Sequence, residues 1–278
     1  MAVVFKIEVN LFDYFYVDKT NFMKKPLILV TNDDGITAPG IRTLISIMKE
    51  IGEVIVVAPN SPQSAMGHAI TVNNTLFLED VFIENDANEV AQALDITPVD
   101  CVKIAIDQII KGKPDICVSG INHGSNSASN VIYSGTMSAA VEAGMSGVPA
   151  IGFSLSDFSW NADFSQIRNF IKKITLQTLE NGLPEGVVLN VNFPKLEEKE
   201  IKGIKVCRQA NATWVEKFDE RTNPHGKKYY WLTGTFVNHD KGEDTDEWAL
   251  ANGYVSMVPV QFDLTAYHAM QQINKWEF

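Results

Sequence analysis

Short runs of apolar residues alternate with amphipathic segments along much of the chain. Such runs, bounded by turn-forming residues, are typical of strands buried on both faces of a parallel sheet. They occur at 27–30, 54–58, 115–120, 150–154 and 187–193. Apolar residues at helical spacing follow Pro39, Pro98 and Thr136. This alternation predicts an α/β fold with a three-layer, Rossmann-like, doubly wound and mostly parallel sheet.

Two other segments predict hairpins. Residues 68–79 alternate between apolar and polar around Asn73-Asn74, which favours a hairpin at the sheet edge. Residues 211–236 place aromatic side chains among charges on both sides of a Pro-His-Gly turn. That pattern predicts a projecting C-terminal hairpin arm. Exposed aromatic residues on an arm favour a subunit contact, and they are also suited to stacking on a base.

The chain divides into three predicted parts. Residues 1–23 are an N-terminal extension, since Met23 and the basic residues after it resemble a natural start directly before the first strand. Residues 24–195 form the Rossmann-like catalytic domain. Residues 196–278 hold the C-terminal strands, the arm and a tail, which we expect to serve oligomerisation.

Composition narrows the functional classes. The formal net charge of −11 argues against a nucleic-acid polymer as partner. Acidic residues interrupt the apolar stretch near the N-terminus, so we expect neither a signal segment nor a membrane partner. The three cysteines, Cys101, Cys117 and Cys207, are widely spaced and favour reduced thiols in a cytoplasmic protein.

Adjacent carboxylates follow the first predicted strand. Asp33 and Asp34 lie between that strand and the helix at Pro39, where open α/β sheets place their sites. Two such carboxylates repel each other and favour a cation, most simply a divalent metal with oxygen ligands. Ordinary turn chemistry, with Asp34-Gly35 in a turn and Asp33 as a cap, is the alternative.

Two further loops reach the same edge of the predicted sheet. The loop after the second strand carries Ser64 and His68, and either side chain is a candidate for the metal or a phosphate. Asn122 directly follows the strand at 115–120, and its amide oxygen suits Mg²⁺ or Mn²⁺. Parallel strands end at one edge, so these residues should meet Asp33 and Asp34.

A helix start rich in hydroxyls offers an anion site. Ser134, Gly135 and Thr136 precede a helix of small residues, so amides and hydroxyls are available for a phosphate. Plain N-capping by Ser134 or Thr136 uses the same groups. Neither a GxGxxG pattern nor a Walker lysine is present, which disfavours NAD and Walker-type ATP binding.

Four motifs in order resemble the SurE family of metal-dependent nucleotidases. They are TNDDG at 31–35, APNSPQSAMGHAIT at 58–71, SGINHGSN at 119–126 and YSGTMSAAVEA at 133–143. The resemblance implies one Mg²⁺ or Mn²⁺ per subunit, held by Asp33, Asp34, Ser64 and Asn122. It also implies a nucleoside monophosphate substrate, with 3′-monophosphates and short polyphosphate as further substrates, and arms exchanged in a homodimer or homotetramer.

The resulting hypothesis is a 5′-nucleotidase that uses metal-activated water. Asp33 takes the proton of the water, Asp34 is mainly a ligand, and Asn126 with Ser134, Gly135 and Thr136 holds the phosphate oxygens. A covalent Asp33 route is disfavoured, because Asp33 and Asp34 are adjacent, whereas haloacid-dehalogenase-type phosphatases carry Asp-x-Asp. The alternatives of another class are a non-catalytic nucleotide sensor and a sugar-nucleotide transferase.

Two acidic features of the C-terminal part are less specific. Residues 239–247 are predicted to be a solvated loop, with spacing unlike an EF-hand. Asp263 matches the family's tail, but Tyr267 stands where relatives commonly have His, and His268 comes one residue later. A role for His268 in the site and an exposed helix position both remain open.

Overall fold

The structure, a computed structural model, describes residues 25–82, 90–94 and 96–277. The predicted extension at 1–23 lies outside the described residues. The strands are β1 (Leu27–Thr31), β2 (Glu53–Pro59), β3 (Leu78–Phe82), β4 (Val90–Leu94), β5 (Ile116–His123), β6 (Ala150–Leu155), β7 (Val187–Phe193), β8 (Ile204–Val206), β9 (Ala212–Thr222), β10 (Lys228–Asn238) and β11 (Val255–Gln261). The α-helices are α1 (Pro39–Lys49), α2 (Pro98–Ile104), α3 (Asn130–Tyr133), α4 (Gly135–Met145), α5 (Arg168–Asn181), α6 (Asp246–Ala251) and α7 (Tyr267–Ile273).

Nine of these strands form one sheet in the order β3-β4-β2-β1-β5-β6-β7-β11-β8. Every described pair is parallel except β3 with β4 and β11 with β7. From β1 the chain first adds strands on one side, through β2, and then returns to the other side at β5. The boundary between β1 and β5 is therefore the topological switch point, where open α/β sheets bind ligands.

The two faces of the sheet bury separate cores, which confirms the three-layer prediction. Ile28 and Val30 of β1 pack with α1 and α5, whereas Leu29 between them packs with α2 and α4. All three side chains are fully buried. A strand with apolar residues on both faces can be stable only between two helical layers, because each buried side chain of this size contributes about 2 kcal/mol.

The prediction of an edge hairpin at 68–79 is wrong. Residues 68–77 form turns and irregular structure, and the antiparallel pair at this edge is β3 with β4. The reason is local hydrogen bonding at the start of α2. The Asp100 carboxylate accepts from the Thr71 amide at 3.1 Å, and the Thr97 hydroxyl donates to the Ala69 carbonyl at 2.8 Å. These bonds take the place of a strand ladder.

The strand predicted at 115–120 is longer than its apolar run. β5 continues through Asn122 to His123, with a register shift against β6 between Ser119 and Asn122. The loop after it contains the short helix α3. Asn122 is therefore fixed by the sheet and not by a mobile loop.

The C-terminal hairpin is confirmed. β9 and β10 pair over eleven residues each as a separate two-stranded antiparallel sheet. β8 and β11, by contrast, extend the main sheet. The division of the chain at residue 195 stays a prediction. In the described part of the chain, no helix is long and apolar enough to span a bilayer.

The acidic segment at 239–247 is not simply solvated, contrary to the prediction. Arg208 pairs with Asp240 at 2.5 Å and with Asp244 at 2.9 Å, and Asp246 is buried. The Asp246 carboxylate accepts hydrogen bonds from the Ala128 and Ala210 amides. These carboxylates thus hold the base of the arm against the main sheet, and the charge pattern alone did not reveal their partners.

Candidate active site

A cleft of about 740 Å³ opens at the carboxyl edge of the sheet, beside the switch point. It is lined from the sheet, from α3, from the start of α4 and from one face of the arm. The lining residues that the sequence predicted are Asp33, Asp34, Ser64, Asn122, Asn126 and Ser134. A volume of this size accommodates a ligand such as a nucleotide.

Asp33 is the buried centre of the cleft. Its side chain accepts a short hydrogen bond from the Thr136 hydroxyl, and its backbone carbonyl accepts from the Gln63 amide at 2.7 Å. Burial and the charge of Asp34 raise the pKa of Asp33 to about 6, against the lowering effect of the hydrogen bonds from Thr136. The chain thus holds a carboxylate that ionises with difficulty unless a cation is near.

Asp34 is less buried and has a different partner. Its carboxylate accepts from the His123 amide at 3.2 Å, across from β5. Burial raises the pKa of Asp34, and the hydrogen bond from His123 opposes that shift. The side chain is therefore oriented by the neighbouring strand, toward the boundary between β1 and β5.

The arrangement of donors fits a divalent cation. The side-chain nitrogen of Asn122 donates to the Gly124 carbonyl at 2.8 Å, which leaves the side-chain oxygen as the group available to a ligand. The cleft lining contains the carboxylates Asp33, Asp34 and Glu216, and no Lys or Arg among its described residues. Since no cluster of three His, Cys, Asp or Glu is present in the described ranges, a metal here depends on hydroxyl and amide oxygens as well.

The predicted phosphate-binding residues fall into two groups. Asn126 and Ser134 line the cleft, and the Ser134 hydroxyl also caps α4 by accepting from the Met137 amide at 3.0 Å. Gly135 and Thr136 lie behind them, buried against Asp33. A Cβ at Gly135 would stand 2.7 Å from the Asp33 Cβ, so only glycine permits this approach.

Asn126 is held from several sides. Its side-chain nitrogen donates to the Ser154 hydroxyl at 2.8 Å, and its amide donates to the Asn192 side chain at 2.7 Å. Its carbonyl accepts from Asn190 at 2.9 Å. Asparagines on β7 therefore fix this residue, a role that the sequence pattern did not indicate.

Three residues considered in the sequence lie elsewhere. His68 pairs with the buried Glu142 of α4 at 2.9 Å and is not part of the cleft lining. Asp263 is exposed and bonds to Thr265 and Tyr267 of its own tail. His268 does not line the cleft either. The structure therefore does not bring the tail to Asp33.

The structure also adds residues that the sequence did not single out for the site. Phe158, Trp214 and Glu216 line the cleft, the last two from the arm. His123 packs its ring against Trp160 and Phe164 beside the cleft. Trp214 carried an aromatic signal in the sequence, but its placement depends on the docking of the arm, and Phe158 carried no signal.

Fold and cleft together define a doubly wound α/β protein with an acidic cleft at the switch point of its sheet, the place where proteins of this class bind their ligands. The family model described as "Survival protein SurE" matches residues 28–216. The chain belongs to the SurE family.

Individual relatives of high similarity carry the same family name. The chain is 70% identical to 5′-nucleotidase SurE of Flavobacterium johnsoniae over 254 residues, which cover 91% of this chain and 98% of that protein. It is 68% identical to 5′-nucleotidase SurE of Flavobacterium psychrophilum, with coverage of 92% and 99%. The crystal structure of the SurE protein from Aquifex aeolicus superposes with a TM-score of 0.77 at 39% identity, covering 90% of this chain and 98% of that one.

Proposed function

We propose that this chain is a metal-dependent 5′-nucleotidase that hydrolyses nucleoside 5′-monophosphates to nucleoside and phosphate. The observation that carries the proposal is the charge of the cleft, which has carboxylates from the turn after β1 and from the arm, and no Lys or Arg in its described lining. A phosphate dianion enters such a cleft only with a cation that offsets the negative charges of the phosphate and of the cleft carboxylates. The names of the similar proteins support the substrate class.

The metal site consists of Asp33, Asp34, Ser64 and Asn122, with one Mg²⁺ or Mn²⁺ per subunit. When bound, the ion supplies charge neutralisation and lowers the pKa of water. Asp33 accepts the proton of the attacking water. The Thr136 hydroxyl donates to its Oδ1 atom and so directs the other oxygen to this task. Asp34, held by the His123 amide, is mainly a ligand.

The phosphate oxygens are held by Asn126, by Ser134 and by the amides at the start of α4. Helix α4 has 11 residues, and its N-terminus concentrates positive potential where negative charge develops in the transition state. A direct contact between the Thr136 hydroxyl and the phosphate stays a prediction. We do not include it in the proposal, because this hydroxyl donates to Asp33.

Three finer points belong to the same proposal. Activity on 3′-monophosphates and short polyphosphate uses the same cleft. The exposed aromatic residues at the far end of the arm, among them Tyr230 and Trp231, form the contact of a homodimer or homotetramer. The three cysteines are free and buried, which suits a cytoplasmic location.

Phosphate release from a panel of nucleoside monophosphates tests the proposal. We expect release from AMP or GMP with Mn²⁺ or Mg²⁺, its loss with EDTA, and its loss in Asp33→Asn. The exposed Glu185→Gln is the matched control, because it removes one negative charge far from the cleft lining. Absence of release from every monophosphate by folded, metal-loaded protein would overturn the nucleotidase proposal and favour a non-catalytic sensor.

A further inference from the structure

The face of the arm at the cleft carries an aromatic ring and a carboxylate on one strand. Trp214 and Glu216 lie two residues apart on β9, so their side chains point to the same face. Across the hairpin, Trp214 pairs with Phe236, and Glu216 pairs with Gly234. Gly234 also lines the cleft. The arm thus contributes a flat ring with an acidic group beside it.

Trp214 is fixed in place before any ligand arrives. Its indole nitrogen donates to the Asn130 side chain at 2.9 Å, and its ring contacts that of Phe236 with a centroid distance of 5.6 Å. The side chain is still 44% exposed. A pre-oriented, half-exposed indole in a nucleotide-sized cleft is suited to stacking on a base.

Glu216 differs from the other acidic residues of its strand. Glu220 pairs with Lys228 at 2.8 Å, and Asp219 pairs with Arg221 at 2.8 Å. Within the described part of the chain, the Glu216 carboxylate makes neither a hydrogen bond nor an ion pair. A Cβ at the opposite Gly234 would lie 3.3 Å from the Glu216 Cα and 3.5 Å from the Trp214 ring, so glycine lets the two strands approach closely beside this ring.

Glu216 is exposed, so water hydrates its carboxylate before a ligand binds. A nucleotide that displaces this water must offer the carboxylate hydrogen-bond donors in its place. Guanine presents two adjacent donors, N1–H and the 2-amino group, to a carboxylate that accepts at two oxygens. Adenine presents the acceptor N1 on that edge beside its 6-amino donor. Trp214 and Glu216 are separated by about 6.6 Å along the strand. A base that stacks on the Trp214 ring could therefore reach the Glu216 carboxylate with its edge.

We propose that Trp214 and Glu216 form a base subsite that selects guanine nucleotides, with Trp214 stacking on the base and Glu216 accepting hydrogen bonds from its Watson–Crick edge. This inference rests on the proposed nucleotidase function and names the substrate class of the same cleft. Glu216 is a specificity-determining residue in this scheme and takes no part in the phosphate chemistry.

The test compares kcat/KM for GMP, IMP and AMP with the Mn²⁺-loaded protein. We expect GMP to be the best substrate, IMP with a single donor to be intermediate, and the GMP-to-AMP ratio to fall about tenfold or more in Glu216→Gln. Glu220→Gln makes the same charge change on the same strand outside the cleft lining, and should leave the ratio unchanged.

Calorimetry with guanosine and adenosine, without metal, gives a readout that does not need turnover. Tighter binding of guanosine, lost in E216Q and kept in E220Q, supports the subsite even if hydrolysis fails for another reason. An unchanged GMP-to-AMP ratio in E216Q would overturn the inference while leaving the nucleotidase proposal intact. Equal losses for GMP and AMP with dGMP unaffected would also overturn it, since Glu216 would then bind the ribose.

Discussion

Replacement of Asp33 by asparagine should stabilise the metal-free protein while it abolishes the proposed activity. Burial and Asp34 raise the pKa of Asp33 to about 6 from its ordinary 3.8. Because the folded-state pKa lies above the unfolded one, ionisation of Asp33 disfavours the folded state. The cost is fully present well above pH 6, declines as the pH falls below 6 and is gone below the unfolded pKa of about 3.8.

The size of the effect follows from that difference in pKa. It corresponds to about 3 kcal/mol at pH 7.5, and to about half as much at pH 5.0. The asparagine side chain keeps an oxygen that can accept from Thr136, so the substitution removes the charge and leaves this hydrogen bond. For a chain of this length, a gain of about 3 kcal/mol raises the Tm by about 5 °C.

Urea unfolding in EDTA at pH 7.5 and pH 5.0 measures the gain. We expect Asp33→Asn to exceed the wild type in free energy of unfolding by about 3 kcal/mol at the higher pH and by about half that at the lower. Saturating Mn²⁺ should reverse the order, because only the wild type binds it tightly. Glu185→Gln provides the charge control. A variant no more stable than the wild type at pH 7.5 would show that the Asp33 charge does not destabilise the folded protein.

Three further predictions follow from contacts at the cleft and on the arm. Thr136→Val removes the hydroxyl that donates to Asp33, so calorimetry should show about tenfold weaker Mn²⁺ binding, whereas Thr136→Ser should retain it. Gly135→Ala places a Cβ 2.9 Å from Asp33 Oδ2 and should lower kcat about a hundredfold with an unchanged circular dichroism spectrum. Trp231→Asp on the arm should reduce the oligomer measured by light scattering, while Leu264→Asp, at a more exposed apolar residue of the tail, should not. Oligomers unaffected by Trp231→Asp would contradict the arm contact.

The regular part of the fold could be predicted because its signals are local. The predicted strands of the parallel sheet are mostly apolar, and β1 shows the pattern best because it buries side chains in both cores. The start of α2 is equally local: the Thr97 hydroxyl accepts from the Asp100 amide, as expected of an N-cap before proline. These features depend on neighbours within one turn or one strand.

The errors arise where distant groups decide the local structure. The alternation at 68–79 resembled a hairpin, yet the bond between Thr71 and Asp100 connects residues 29 apart and replaces the strand ladder. Trp214 reaches the cleft through a bond to Asn130 across 84 residues. No periodicity in the sequence encodes such a docking, so the arm's share of the cleft could not be predicted.

The predicted cleft residues were found because they end strands that the sheet places side by side. β1 and β5 pair directly, so Asp33, Asp34 and Asn122 meet at one edge. The sequence could not show which residues contact and orient these side chains. Thr136 and Gly135 proved to contact Asp33 itself, which requires the start of α4 to approach β1 more closely than any spacing rule indicates.

Anomalous diffraction from crystals grown with Mn²⁺ would locate the metal. We expect one strong manganese peak per subunit, within coordination distance of the carboxylates of Asp33 and Asp34 and of the Asn122 amide oxygen, and its loss in crystals of Asp33→Asn. A peak at another place in the chain, or no peak at saturating Mn²⁺, would contradict a metal-dependent site in this cleft.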